Sequence, residues 1–224
     1  MKKKIHLINI LLFICAMICL IYYDSHRSIW LKGITSAWFV CLGFVNILYS
    51  KNLKNKTYLI LIEIGLFLGM CADVFLWVSL IMGILCFASG HIFYLIAFLK
   101  LDKFKLKDLI IILPIAIISL FIVFVSGLIV INNPIVYVLL IGYTFIISFM
   151  LGKSCSIYLE RKTISSLIAF IGCTLFWFSD LMLGLDWFGN SYDIVGQLCI
   201  YTYWPAQNIL AYSLYHYVNE NTAY

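Results

Sequence analysis

Residues 57–77 read TYLILIEIGLFLGMCADVFLW, an apolar run long enough to cross a bilayer yet carrying two carboxylic acids, Glu63 and Asp73. About 20 such residues in a helix, rising about 1.5 Å each, match a hydrocarbon layer of roughly 30 Å. A second run of this kind, LFWFSDLMLGL at 175–185, carries Asp180. A carboxyl group in hydrocarbon is costly and persists where it is paired or used. Low dielectric favours its neutral form, and a neutral acid can donate a proton. Asp73 and Asp180 are therefore the first candidates for acid–base chemistry.

The rest of the chain has the same character. Of its 224 residues 64% are hydrophobic and 11% charged, with a mean hydropathy of +1.05; soluble domains carry roughly 25% charged residues. Apolar spans lie near 5–23, 29–49, 57–77, 79–99, 108–131, 134–153, 163–185 and 194–217, with short connections. The expectation is an all-α polytopic bundle of about eight transmembrane helices, a single integral membrane domain over 1–224. With no soluble domain, an active site must be built from side chains inside the bundle or at its mouths.

Basic residues cluster at Lys2–Lys4, Lys51–Lys56, Lys100–Lys107 and Lys153–Lys162 and account for 13 of the 15 Lys+Arg, leaving Arg27 and Lys32 on the other side. This bias orients both termini toward the cytoplasm. In a bacterial cell the membrane would be the plasma membrane. The net charge of +5 then reflects topology and contact with anionic lipid headgroups, and no nucleic-acid partner is needed to explain it. The first span follows three lysines as a secretory signal does, but YYDSHRS after it offers no small-residue cleavage site, so it reads as a retained helix.

Other polar residues share the spans. His91 and Tyr94 lie three apart on one face of the fourth helix, Tyr203 and Gln207 four apart on the eighth beside Pro205 and Asn208, and Ser179 precedes Asp180. In a shared cavity such groups lower one another's burial cost. Each also has a plainer reading: a buried carboxyl or His can merely bridge helices, and Tyr, Ser and Gln commonly serve packing or caps. Glu63, more than two turns cytoplasmic of Asp73, reads as approaching the inner headgroups and stays outside the site. Asp186 and Asp193 read as solvated groups of the outer loop. The eight cysteines behave as small hydrophobes. CADVFLW and FSDLMLG, four helices apart and running in the same direction, suggest a parallel four-plus-four repeat with both aspartates at one depth.

Several chemistries lack their ligands. The four histidines show no paired or HExxH spacing for a metal, no GxSxG elbow serves a serine nucleophile, and no glycine-rich phosphate loop appears. What remains is a carboxyl pair with His91, Tyr94, Tyr203, Ser179 and Gln207.

Four motifs, G-x-x-x-D-V-F-L at Gly69–Leu76, G-H-x-x-Y at Gly90–Tyr94, F-x-x-S-D-x-x-L at Phe176–Leu183 and Y-x-x-A-Q at Tyr203–Gln207, occur in order on helices three, four, seven and eight. Together they resemble the YhhN-like lysoplasmalogenase family of multispanning membrane enzymes, over nearly the whole chain. Lys32-Gly33 stands where that family usually has Lys-Pro, and Ala72 where it more often has Gly. The resemblance implies hydrolysis of the vinyl ether of a lysoplasmalogen, a lysophospholipid, to a fatty aldehyde and glycerophosphoethanolamine or glycerophosphocholine. Water would be the co-substrate and no cofactor is called for. Asp73 and Asp180 would share the acid and base roles, His91 would tune them or relay a proton, and Tyr94, Tyr203, Ser179 and Gln207 would contact substrate or water. Two other classes use the same residues: a proton-coupled lipid or small-molecule transporter, and an intramembrane aspartyl protease, whose Gly-x-Gly-Asp motif is replaced here by Gly-Met-Cys-Ala-Asp.

Overall fold

Eight α-helices follow one another in the computed structural model, which describes residues 2–51, 53, 55–189 and 193–222, with no strand among the described residues. They are α1 (Lys2–His26), α2 (Ile29–Tyr49), α3 (Thr57–Phe75), α4 (Leu80–Leu101), α5 (Leu109–Leu120), α6 (Pro134–Arg161), α7 (Ile164–Phe188) and α8 (Asp193–Asn221). Lys54 of the second basic cluster and the side chain of Asp193 lie outside the described residues.

Helix starts follow local chemistry. Ser28 and Ser79 cap α2 and α4 through their hydroxyls, Asn133 caps α6 with Pro134 in the first turn, and Thr163 forms a capping box with Ser166 on α7. Lys162, at φ 52°, makes the left-handed turn that ends α6. The fifth span departs from the expected 108–131. Its α-helix ends at Leu120, a π turn covers Phe121–Val125, and the chain then runs without helix to Pro134, with Gly127 at φ 74°. There the Val130 amide donates to the Phe188 carbonyl at 2.8 Å, tying this segment to the end of α7.

Seven helical segments, from Lys2–His26 to Ile164–Phe188, are long and apolar enough to cross a membrane, so this is a multi-pass membrane protein. α8 is not among the seven. Its 29 residues include Gln207, Asn208 and Ser213, all buried, and it packs on α7, α2, α1 and α3. A helix screened from lipid by its neighbours can carry this polarity at modest cost. α1 shows the opposite case: Leu7, Leu11, Ile14, Ile18 and Ile21 form an exposed stripe at helical spacing, while Asn9, Ala16, Leu20 and Tyr23 face inward.

Polar pairs hold the bundle at the end that carries the four basic clusters. Asn9 and Asn46 exchange amide hydrogen bonds at 3.0 and 2.8 Å, and Asn46 also reaches the Ala211 carbonyl, joining α1, α2 and α8. Interhelical bonds of this type contribute on average about 0.6 kcal/mol in a membrane. Lys153 of α6, fully buried, pairs with Asp102 at 2.7 Å and Asp108 at 2.8 Å, and Ser156 donates to Asp108 at 2.5 Å. Tyr215 donates to the Lys2 carbonyl at 3.3 Å, so the two ends of the chain meet at one end of the bundle.

Candidate active site

The opposite end of the bundle holds the aspartates. Asp73 lies in the last turn of α3, where its Oδ2 accepts hydrogen bonds from Ser36 of α2 at 2.5 Å and Tyr203 of α8 at 2.7 Å. Lys32, one turn before Ser36 on the same face of α2, brings Nζ to 3.4 Å from Asp73 Oδ1. The Trp204 indole donates to Ser36 Oγ at 3.1 Å and orients that hydroxyl. Asp73 thus has two hydroxyl donors and one cation, a set suited to a carboxylate.

Asp180 is held in a parallel manner. Its Oδ2 accepts from Tyr143 of α6 at 2.5 Å, and His91 Nε2 of α4 lies 2.9 Å from that hydroxyl and 3.4 Å from the carboxylate. With Tyr143 donating to Asp180, its oxygen accepts from His91, giving a relay from imidazole through phenol to carboxyl. Each aspartate takes a hydroxyl from the preceding helix, 37 residues upstream in both cases. Each also has a ring from the last helix of the other half: Tyr203 of α8 for Asp73 and His91 of α4 for Asp180. This gives the two carboxyls a matching arrangement of partners. The lysine breaks it, since among the described residues no Lys or Arg lies within 4.0 Å of Asp180.

Both carboxyls line one polar cavity of about 440 Å³, together with Lys32, Ser179, Tyr203 and Phe87. Its outer part is formed by Arg27 after α1, Trp77 after α3, and Asp186 and Trp187 at the end of α7. Asp180 also borders a second, apolar pocket of about 80 Å³ between α4, α5, α6 and α7, with Ile84, Leu140, Tyr143, Ile147 and Trp177 in its wall; Asp73 does not. Leu76, Phe87, Leu183 and Trp187 are shared by the two spaces. Asp180 therefore stands where a polar and an apolar compartment meet.

Tyr94 and Gln207 lie behind this wall. The Tyr94 hydroxyl donates to Gln207 Oε1 at 2.7 Å, both side chains are buried, and neither lines the cavities. Gly69 allows that approach, because a Cβ there would come within 2.6 Å of Gln207 Nε2. Ser179 reaches the polar cavity, though its hydroxyl is engaged with the Phe176 carbonyl at 2.7 Å. Glu63 is partly buried against α2, its Oε2 within 2.0 Å of where a Gly43 Cβ would stand. Asp186 is a correction: α7 continues to Phe188, so this residue is helical and faces the cavity, where the sequence reading has it in a solvated loop.

Sequence reasoning missed Lys32, Ser36, Tyr143 and Arg27 as site residues. One signal was available, the i, i+4 spacing of Lys32 and Ser36 in an otherwise apolar helix. Tyr143 carried none. Among the described residues no group of three or more His, Cys, Asp or Glu side chains is gathered for a metal.

The family model of the YhhN family matches residues 27–214. The chain belongs to the YhhN family. The matched stretch runs from Arg27 to the last turns of α8 and includes every residue named around the two aspartates. No curated protein and no solved structure matches the chain. Within the matched stretch, the motifs at Gly69–Leu76 and Phe176–Leu183 carry the two carboxyls, and those at Gly90–Tyr94 and Tyr203–Gln207 supply the rings that cross over to them.

Proposed function

We propose that this YhhN protein hydrolyses the vinyl ether bond of a lysoplasmalogen inside the membrane, in a bacterial cell the plasma membrane. The observation that carries the reading is that Asp73 and Asp180 face one polar cavity, while Asp180 alone also borders an apolar pocket. The association of the YhhN family with hydrolase activity supports it.

A vinyl ether O–CH=CH–R is protonated at the carbon on the tail side, and the C=C electron pair forms the new C–H bond. The resulting oxocarbenium ion is captured by water at the carbon bonded to oxygen. The hemiacetal then collapses, its C–O bond to glycerol breaking as an aldehyde forms and the glycerol oxygen takes a proton. With the alkyl chain in the apolar pocket and the head in the polar cavity, Asp180 meets the tail-side carbon and is the proton donor. Asp73, on the head side, stabilises the cation and accepts the proton of the attacking water. Lys32, Ser36 and Tyr203 supply Asp73 with a cation and two hydroxyl donors in that role. His91 and Tyr143 return a proton to Asp180. Tyr94 and Gln207 act one layer back, by positioning α8 and so Tyr203.

Purified protein in detergent is expected to release fatty aldehyde from a lysoplasmalogen, and Asp73→Asn and Asp180→Asn, folded as wild type, to release none. No aldehyde from folded wild type would sink the reading. It would favour proton-coupled transport, which gives flux without turnover.

A further inference from the structure

The polar cavity has an inner and an outer part of different chemistry. The aspartate side chains at its floor are 2% and 12% exposed, whereas the Arg27 side chain at its rim is 50% exposed. Trp77 and Trp187 stand at the same rim. Lys32, 14% exposed, lies beside the floor, 3.4 Å from Asp73. Arg27 binds Asp24 through Nη2 at 2.8 Å, an arrangement that fixes the guanidinium by one edge while its five donors form a fork able to serve two acceptors at once.

Arg27 and Lys32 are the two basic residues that stand apart from the four cytoplasmic clusters. The fold brings both to the wall of one cavity. A bundle needs no cations at this end for topology, since the positive-inside rule disfavours them here. A cavity wall holding two cations, with a carboxylate, Asp186, and two indoles beside them, is complementary to a zwitterion. A phosphate suits the Arg27 fork and Lys32, and an ammonium suits Asp186 and the faces of Trp77 and Trp187.

We propose that Arg27 and Lys32 form the phosphate subsite of this cavity, so that it accepts a single-chain phospholipid with a zwitterionic head and rejects the same chain on bare glycerol. The assignment rests on the head-outward orientation of the proposed reaction. It is tested by binding alone, without turnover. The ligands are a long-chain 1-alkyl-glycerophosphocholine, whose saturated ether cannot be protonated at carbon, the corresponding 1-alkylglycerol, and glycerophosphocholine, all titrated against tryptophan fluorescence.

Wild type is expected to bind the phospholipid at least about tenfold more tightly than the alkylglycerol, as charge-assisted hydrogen bonds imply. Arg27→Gln is expected to lose most of that preference and to bind alkylglycerol as wild type does, and Arg27→Lys to keep part of it. Equal weakening of both lipids in Arg27→Gln would mean that Arg27 only braces Asp24, and would overturn the subsite, as would a wild type with no preference. Glycerophosphocholine binding as tightly as the lipid would overturn the lipid assignment in favour of a soluble phosphodiester. Headgroup discrimination without aldehyde release would retain the subsite and reject the hydrolysis; aldehyde release without discrimination would do the reverse.

Discussion

Lys32 Nζ stands 3.4 Å from Asp73 Oδ1, an ion pair between α2 and α3 in which the side chains are 14% and 2% exposed. It gives Asp73 a cation that Asp180 does not have within 4.0 Å among the described residues. An ion pair withdrawn from solvent gains little over an apolar pair, but removing one partner leaves a charge uncompensated.

Lys32→Met is therefore expected to destabilise the protein by about 3 kcal/mol and to abolish activity, while Lys32→Met combined with Asp73→Asn recovers most of the stability and none of the activity. Thermal unfolding in detergent, read beside aldehyde release, closes the cycle. Additive stability losses would show that the two residues do not pair.

The proposed division of labour between the aspartates is tested by what captures the cation. Azide is a better nucleophile than water and needs no base. In Asp73→Ala, azide is expected to restore consumption of lysoplasmalogen, with the azido-ether adduct visible by mass spectrometry. Asp180→Ala should show no rescue, because protonation precedes capture. Rescue of Asp180→Ala alone would reverse the roles.

Tyr94 is buried and Tyr143 half-buried in the bundle, and of the two only Tyr143 bonds a carboxyl and borders a cavity. Tyr143→Phe is expected to lower kcat by about 100-fold with little change in KM, and Tyr94→Phe by less than about tenfold. Steady-state kinetics on matched detergent preparations give the comparison.

Gly65 of α3 packs on Tyr94 so closely that a Cβ would stand 2.3 Å from a ring carbon, whereas one at Gly142 of α6 meets nothing within 4 Å. Gly65→Ala should cost about 1–3 kcal/mol, because a buried ring cannot yield without moving α4. Gly142→Ala should be neutral or stabilise by up to about 1 kcal/mol through helix propensity. Unfolding temperatures of the two variants separate the effects.

The connection after α4 supplies a pH test outside the spans. Burial raises the Asp102 carboxyl, but hydrogen bonds and charge from Lys105 and Lys153 outweigh it and hold the group below its usual value. A depressed folded-state value means that this contribution is fully present above the ordinary carboxylate range, near 3.8, and is lost as pH falls through the lower folded value. The unfolding temperature of wild type should fall more between about pH 5 and about pH 3 than that of Asp102→Asn, which is already without the interaction.

Hydropathy made the spans legible because helices in a membrane satisfy their own backbone, so their length and apolar character are written locally. α8 shows the same rule from the other side. Its 29 residues are long enough, but its composition falls outside the apolar set because neighbouring helices, and not lipid, surround it. The end of α5 was not legible, since the continuation 121–131 is as apolar as the helix before it and the tie from Val130 to Phe188 that holds the non-helical stretch is a tertiary contact.

The site divides in the same way. The sequence by itself determined that Asp73 and Asp180 lie within apolar helical runs, since a charge in such a run needs no knowledge of neighbours to be conspicuous. It also determined which four helices carry the polar motifs. Only the tertiary structure decided who holds the carboxyls. Ser36 and Tyr143 are ordinary residues until α2 crosses α3 and α6 crosses α7, and His91 and Tyr203 could have served either aspartate until the halves interlocked with each ring reaching across. Helix pairing is fixed by packing over many side chains at once, and a hydrogen bond of 2.5 Å is a consequence of that packing which no local spacing encodes.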